Sequence, residues 1–383
     1  MQDLSTLQCR VCSAQLTGNP VLHFPEAPPA QGFSDSPEDM ADSQDLDIHQ
    51  CAYCGTVQHV LQPVSYYKDV IRAVAFSQDM GTFRRGQLSR WVANFGLRAK
   101  NILEVGAGRG EYMALLKEAG ARSVFGLENG DSNLEATKSA GHRVERGYLT
   151  DSFENPFDFK FDAFCIFSFM EHWPNINASL RSLHDMLTSD AIGLIEVPNF
   201  DYILETKLYS EFTPDHIFYF TSDTLKRVLE LNGFEVLEIE PIWYDYILSA
   251  TVRRRLLTDF SIFESQQKKV IAEILSFLSV SPQAKCAVWG AGHQALSVIS
   301  LAELAAYIAF IVDSATFKQG RYTPASRIHI RPPSALSECD IETVLVMAAA
   351  YSDEVVTEIR REFPQISRIG ILREDGIEVV KHA

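Results

Sequence analysis

The 383-residue sequence predicts an α/β protein in three parts: a cysteine-bearing module, a strand-and-helix core and a second α/β domain. Three observations carry that reading. Two Cys-x-x-Cys pairs lie near the start, Cys9 with Cys12 and Cys51 with Cys54. An apolar strand running through glycines into a helix occurs at 101–120, "NILEVGAGRGEYMALLKEAG", and again at 286–297, "CAVWGAGHQALS". Around them short apolar runs alternate with segments of helical spacing, as in sheets whose strands are joined by helices.

Composition bounds the class. The chain is 46% hydrophobic and 22% charged, values of globular proteins, and no apolar run approaches the roughly 20 residues that cross a bilayer. The start "MQDLSTLQCRVC" has no basic segment followed by an apolar one, which places the chain in the cytoplasm with no membrane partner. A net charge of −16 argues against nucleic acid as a partner, because phosphate backbones select Lys- and Arg-rich faces. A small-molecule substrate remains, even an anionic one, since the charge is uneven. Residues 35–47 are acidic without a basic residue, whereas Arg253, Arg254, Arg255, Lys268, Lys269, Lys318 and Arg321 lie beyond residue 250.

Four sulfurs from two Cys-x-x-Cys turns make a closed tetrahedral site, so Cys9, Cys12, Cys51 and Cys54 are expected to hold a structural Zn2+ in a module over 1–70. Gly55 follows the second pair, as a knuckle turn favours. Disulfides are the alternative, disfavoured in the cytosol. Cys165, Cys286 and Cys339 lie in apolar segments and read as buried thiols.

In the first glycine loop, Gly106, Gly108 and Gly110 allow a sharp turn and the approach of a ligand where a Cβ would intrude. Glu104 lies in the strand before it, and the next strand, "SVFGLE", ends in Glu128, where a carboxylate accepts ribose hydroxyls. The loop "GYLTDSF" (147–153) follows a third strand, and "FDAFCIFSFMEHW" (161–173) runs from a fourth strand to His172. After a fifth strand, "IGLIEVPN" (192–199), comes His216, ahead of a helix with a Ser/Asp cap signal. Both histidines follow strand ends where open α/β sheets bind ligands, and imidazole suits general-base work near neutral pH.

This order of motifs resembles the class I S-adenosylmethionine-dependent methyltransferases, which implies a Rossmann-like core over 71–245. By that resemblance Gly106, Gly108 and Gly110 pack against the methionine part of S-adenosyl-L-methionine, Glu128 holds its ribose, and the loop at Tyr148 and Leu149 covers its adenine. Glu104 then orients the loop or the methionine ammonium. A nucleotide-binding fold with another cofactor is the plainer alternative.

With the cysteine module in front and "VWGAGHQALSVIS" followed by "IAFIVDSATFKQGRYTPASRIHIRPPSAL" behind, nearly the whole chain resembles the three-part C-methyltransferases of nucleotide-linked deoxysugars. That resemblance implies a second Rossmann-like domain over 246–383 that helps enclose the substrate, with Gly290, Gly292, Lys318 and Arg321 contacting sugar or diphosphate. For the two cations a solvated turn is the plain alternative. A helix over 253–280 is expected to join the domains.

In that family the stretch matching 213–216 reads Tyr-His-Glu-His, its last histidine being the base that generates an enolate beside a ketone. Here it reads Thr213-Pro214-Asp215-His216. The resemblance then implies His216 as base, Asp215 as the acid orienting its imidazole, and His172 beside them. The phenolic donor is lost at Thr213, for which Tyr209, Tyr219 and Glu171 are the replacements at hand. Of the aromatics entering the core, Tyr66 and Tyr67 come early and Phe76 stands nearer the family's tyrosine. The competing functions are O- or N-methylation on the same cofactor site, a non-catalytic nucleotide-binding scaffold, and an NAD-dependent dehydrogenase. The last would use the second turn, which contains His293, has Ala295 for its third glycine, and is followed by Asp313.

Overall fold

The computed structural model describes residues 7–16, 19–30, 36, 43–68 and 77–380. Contacts divide the chain into two units, Met1–Leu257 and Thr258–Ala383.

The first unit opens with strands β1 (Leu22–Ala27), β2 (Gln44–Gln50) and β3 (Val57–His59). It continues with α1 (Gln78–Asn94), β4 (Asn101–Val105), α2 (Glu111–Glu118), β5 (Ser123–Glu128), α3 (Asp131–Ser139), β6 (Arg143–Arg146) and β7 (Phe161–Phe167). Then come α4 (Ile176–Asp185), β8 (Leu187–Pro198), α5 (Phe200–Thr206), β9 (Phe218–Tyr219), α6 (Ser222–Leu231), β10 (Phe234–Ile242) and β11 (Ile247–Arg254). The main sheet has the order β10-β11-β8-β7-β4-β5-β6, parallel from β8 to β6, with the β10–β11 hairpin antiparallel at one edge. Such a sheet is covered on both faces, and β7, "FDAFCIF", accordingly alternates little and is almost wholly buried. Helices pack by their apolar stripes: α4 buries Ile176, Leu180 and Leu183, and α6 buries Leu225, Val228 and Leu229. The cap of α6 is Thr221, in a capping box with Thr224, rather than the Ser/Asp pair the sequence suggests. Successive strands run outward from β4 in opposite directions, so the crevice lies between the carboxyl ends of β4 and β7.

The expected N-terminal module is tied into this unit. Its sheet has the order β1-β2-β3-β9, so β3 pairs with a strand from the far side of the core, Val57 opposite Tyr219. Arg10 donates to the carbonyls of His59, Leu61 and Pro174, and the Asn177 amide donates to that of Val11 at 2.7 Å. The expected change of domain at 245/246 falls instead at 257/258, because β10 and β11, which flank that point, are both strands of the main sheet.

In the second unit α7 (Ser261–Leu278) leads to β12 (Cys286–Trp289), α8 (His293–Leu301), β13 (Phe310–Val312), β14 (Ile330–Arg331) and α9 (Ala335–Glu338). β15 (Thr343–Val346), α10 (Ser352–Glu362), β16 (Arg368–Leu372) and β17 (Ile377–Val380) follow. The sheet order is β14-β13-β12-β15-β16-β17, parallel except for β17. The expected linking helix is shorter than 253–280 and belongs to this unit. Arg253 and Arg254 end β11, and α7 buries Ile274, Phe277 and Leu278 in the second core, its Gln266 and Lys269 donating to the Glu374 and Asp375 carbonyls.

Candidate active site

The first glycine loop leaves β4 at the switch point. Gly106 has φ 76° and Gly110 φ 84°, left-handed backbone that glycine adopts without strain. A Cβ on Gly106 would lie 2.6 Å from Cδ1 of Phe169, so that ring, unnoticed in the sequence, closes directly over the turn. Glu128 is buried at the end of β5, one carboxylate oxygen accepting from the Gly108 N–H at 2.8 Å and the other from the Gly130 N–H at 2.8 Å. Glu104 is buried in β4, opposite Gly126 and Cys165. Tyr148 stands edge-on to Phe169 (centroids 6.2 Å) and to Tyr67 (5.5 Å), with the Lys68 ammonium 5.8 Å from its ring centre. Tyr67, which comes early in the sequence, therefore reaches the 147–153 loop; Phe76 lies outside the described residues. Leu149 is buried, and its carbonyl accepts from the Ser179 hydroxyl.

Beyond the ends of β7 and β8 opens a cleft of about 780 Å³, lined in part by Ser168, Glu171, His172, Thr213, Asp215, His216 and Tyr246. His172 and His216, far apart in sequence, are brought to 4.9 Å between ring centres. The His172 Nδ1–H donates to the Asp215 carbonyl at 2.8 Å; a carbonyl only accepts, so Nε2 of the neutral ring carries the lone pair. His59, buried beside them, donates from Nε2 to the Pro214 carbonyl and accepts at Nδ1 from the Leu61 N–H. Burial holds all three histidines neutral. It lowers His216 to about 3, assisted by His172 and His59, lowers His59 to about 4, and lowers His172 as well.

Several expectations change here. The Asp215 carboxylate does not orient His216: it accepts from the Ala30 N–H at 2.7 Å and from the Thr213 hydroxyl at 3.0 Å, while its backbone carbonyl orients His172. Tyr219 is buried, with its hydroxyl donating to the Thr213 carbonyl and accepting from the Thr213 N–H. Tyr209 borders the cleft but is 75% exposed. Sequence reasoning missed Tyr246, which donates to Glu211 at the cleft wall. It stands after three successive left-handed residues, Trp243, Tyr244 and Asp245, a strained turn strapped by the Asn199 amide on the Asp245 carbonyl. Also missed was the buried Arg84–Glu196 ion pair beneath α1, where Gln87 bridges the two and the guanidinium lies over Phe83, Tyr112 and Phe167.

The four cysteine sulfurs converge within 4.8 Å of one another, Cys9 to Cys54 at 3.6 Å and Cys12 to Cys51 at 3.5 Å. Zn–S bonds of about 2.3 Å in a tetrahedron put sulfurs roughly 3.8 Å apart. The Gln58 amide donates to Cys9 Sγ at 3.0 Å, the kind of outer contact that steadies a thiolate ligand.

In the second unit the glycine turn is filled by its own chain. A Cβ on Gly290 (φ 120°) would lie 2.4 Å from the Met347 carbonyl oxygen, so this glycine is needed for packing; Gly292 faces open space. Asp313 accepts from the Ala291 and Ala315 N–H groups, and Lys318 donates to Asp313 at 2.9 Å and to the Ala291 carbonyl. Although burial opposes it, Lys318 and these donors hold the Asp313 carboxyl below its usual range. Lys318 and Asp313 are thus bonded to each other and to the backbone of the turn. Arg321 and His293 are exposed.

A family model described as a methyltransferase domain matches residues 80–239, and one described as the C-methyltransferase C-terminal domain matches 251–365. The chain is 22% identical over 389 residues to the C-methyltransferase NovU of Streptomyces niveus, covering 91% of each. Solved S-adenosylmethionine-dependent methyltransferases from Mesorhizobium loti (TM-score 0.36, 17% identity, 44% of this chain and 100% of that one) and Clostridium acetobutylicum (0.39, 10%, 48% and 93%) overlap part of it. The two domain matches, in this order and over the units found in the structure, make the chain a member of the S-adenosylmethionine-dependent methyltransferases that carries the C-terminal domain of the C-methyltransferases.

Proposed function

We propose that this enzyme methylates a carbon next to the carbonyl of a keto sugar linked to a nucleotide, or of a related small metabolite, with His216 as the base. The observation that carries the reading is the His172–His216 pair on the cleft just past the glycine loop: two neutral imidazoles, one with its tautomer fixed by the Asp215 carbonyl. S-adenosylmethionine, when bound, supplies an electrophilic methyl group. The loop suits it by conformation, since Gly106 and Gly110 take left-handed backbone, and by an acceptor, since the Glu128 carboxylate stands where ribose hydroxyls would donate. Tyr148 and Leu149 would cover the adenine. His216, held unprotonated, accepts the α-proton, and the imidazolium so formed gains the enolate as its counter-charge. The four cysteines are taken to be reduced, as in the cytoplasm, and to hold structural zinc with no position left for chemistry.

Among the described residues the cleft is lined by Glu26, Glu211 and Asp215 and by no Lys or Arg. That lining suits the sugar and offers its diphosphate no cation, so this reading leaves the diphosphate outside the cleft. The spent hydroxyl of Tyr219 favours a second reading, transfer to oxygen or nitrogen, which needs no donor for an enolate. Methyl-¹³C-labelled S-adenosylmethionine and a panel of nucleoside-diphosphate-linked keto sugars decide between them. A new C–CH₃ carbon signal is expected; an O–CH₃ or N–CH₃ signal replaces the first reading by the second.

A further inference from the structure

Resting on the C-methylation reading, we infer that Glu171 is the acid of the cleft, a carboxyl that keeps its proton and donates it as a hydrogen bond to the acceptor's carbonyl oxygen while His216 removes the α-proton. The need for such a donor follows from the chemistry: an enolate forming in a dry site requires a hydrogen-bond donor at its oxygen. Of the other side chains there, Ser168 and Ser210 bring only short hydroxyls, and the larger donors are engaged. Tyr246 donates to Glu211, Thr213 to Asp215, Tyr219 to the Thr213 carbonyl, and His172 Nδ1 to the Asp215 carbonyl. Tyr209 stands in solvent.

Glu171 differs from all of these. It lines the cleft at 1% exposure, its Oε2 makes no hydrogen bond, and its Oε1 lies 3.9 Å from His172 Nε2, beyond bonding distance. Its carboxyl, His172 and His216 bring atoms within 4.8 Å of one another. The titratable groups around it are those two neutral histidines, the Tyr246 phenol, and the acids Glu211, Asp215 and Glu26 across the cleft. None is a cation. An ionised Glu171 would have no counter-charge, and burial accordingly pushes its carboxyl up to about 8. A carboxylic acid kept neutral by an apolar site can serve as a donor to an oxyanion.

The step balances without another reactant. The α-proton goes to His216, the C–H pair becomes the enol double bond, and the carbonyl π pair moves to the oxygen held by the Glu171 O–H. The double-bond pair then forms the new C–CH₃ bond, the S–CH₃ pair stays on sulfur, and the carbonyl re-forms. Glu171 keeps its proton throughout, and His216 gives its proton to water.

Two measurements test this. Infrared difference spectroscopy needs no acceptor: a protonated-carboxyl band should vanish with a midpoint near the value of about 8 and be missing in Glu171→Gln. A band that titrates in the ordinary carboxylate range overturns the inference. The second is exchange of the α-proton of a nucleoside-diphosphate-linked keto sugar into D₂O, with S-adenosylhomocysteine present. Glu171→Gln keeps a neutral donor and should stay within roughly tenfold of wild type without the alkaline fall, whereas Glu171→Ala should lose about 10²–10³-fold. Equal loss in the Gln and Ala variants, each still binding S-adenosylhomocysteine as wild type does, contradicts the donor role. If the band is present and no keto sugar exchanges, the C-methylation reading fails while the neutral acid stands.

Discussion

His216 sits where its surroundings keep it unprotonated, with burial and two neighbouring histidines lowering it to about 3. Replacing it by alanine should leave the affinity for S-adenosylhomocysteine unchanged and reduce turnover by about 10²–10⁴-fold, the usual share of a general base. Retention of full rate would remove it from the mechanism. The same burial has a consequence for stability. Histidines of the unfolded chain titrate near 6.5, whereas His59 folds at about 4 and His216 at about 3. Their depressed values give stability that is present above about 6.5 and lost as the pH falls, because the unfolded chain then binds more protons. Glu171 has the opposite sign: its value is raised from 4.5 to about 8, so its stabilising effect is complete below 4.5 and lost as the pH rises toward 8. Thermal melts should therefore show Glu171→Gln above wild type near pH 8 and level with it near pH 4. Glycines, Glu128 and the two histidines could be read from the sequence because each is a residue type tied to a chemistry. The Asp215 carbonyl could not, since every residue has one, and it was its carboxylate that drew attention. Phe169 was equally silent: an aromatic beside a strand usually signals core.

At the scale of elements, the cysteine pairs could be seen, yet their integration with the core could not. β9 is two residues long and its pairing with β3 spans most of the unit, so no local periodicity announces it. That pairing runs straight into the stretch carrying His216, and it makes a prediction. Removing the metal with a chelator, or replacing Cys51 by serine, should destabilise the core as well as the knuckle. A loss of about 3 kcal/mol would lower Tm by roughly 6–12 °C in a unit of this size. Circular dichroism melts of treated and untreated protein check it; an unchanged Tm would mean that the four sulfurs hold no stabilising ion. The β10–β11 hairpin teaches the same lesson about boundaries. The strained Trp243–Asp245 turn looks like a linker in the sequence, but it joins two strands of one sheet and carries Tyr246 to the cleft wall.

Across the whole molecule the two glycine turns, so alike in sequence, have different fates. In each a carboxylate accepts from a backbone N–H of the turn, Glu128 from Gly108 and Asp313 from Ala291, but Phe169 faces Gly106 in the first, while in the second the Met347 carbonyl faces Gly290 and Lys318 bonds both Asp313 and the Ala291 carbonyl. A motif fixes the backbone path, and only the later residues decide whether the turn binds or merely packs. The account's central claim is that the first turn holds the methyl donor, and calorimetric titration with S-adenosylhomocysteine tests it most directly. Wild type should bind one equivalent, and Gly106→Ala, whose Cβ would lie 2.6 Å from the Phe169 ring at φ 76°, should lose that binding while Gly292→Ala, in open space in the second turn, should keep it. Absence of binding to the wild-type protein, or binding lost only in the Gly292 variant, would contradict the account.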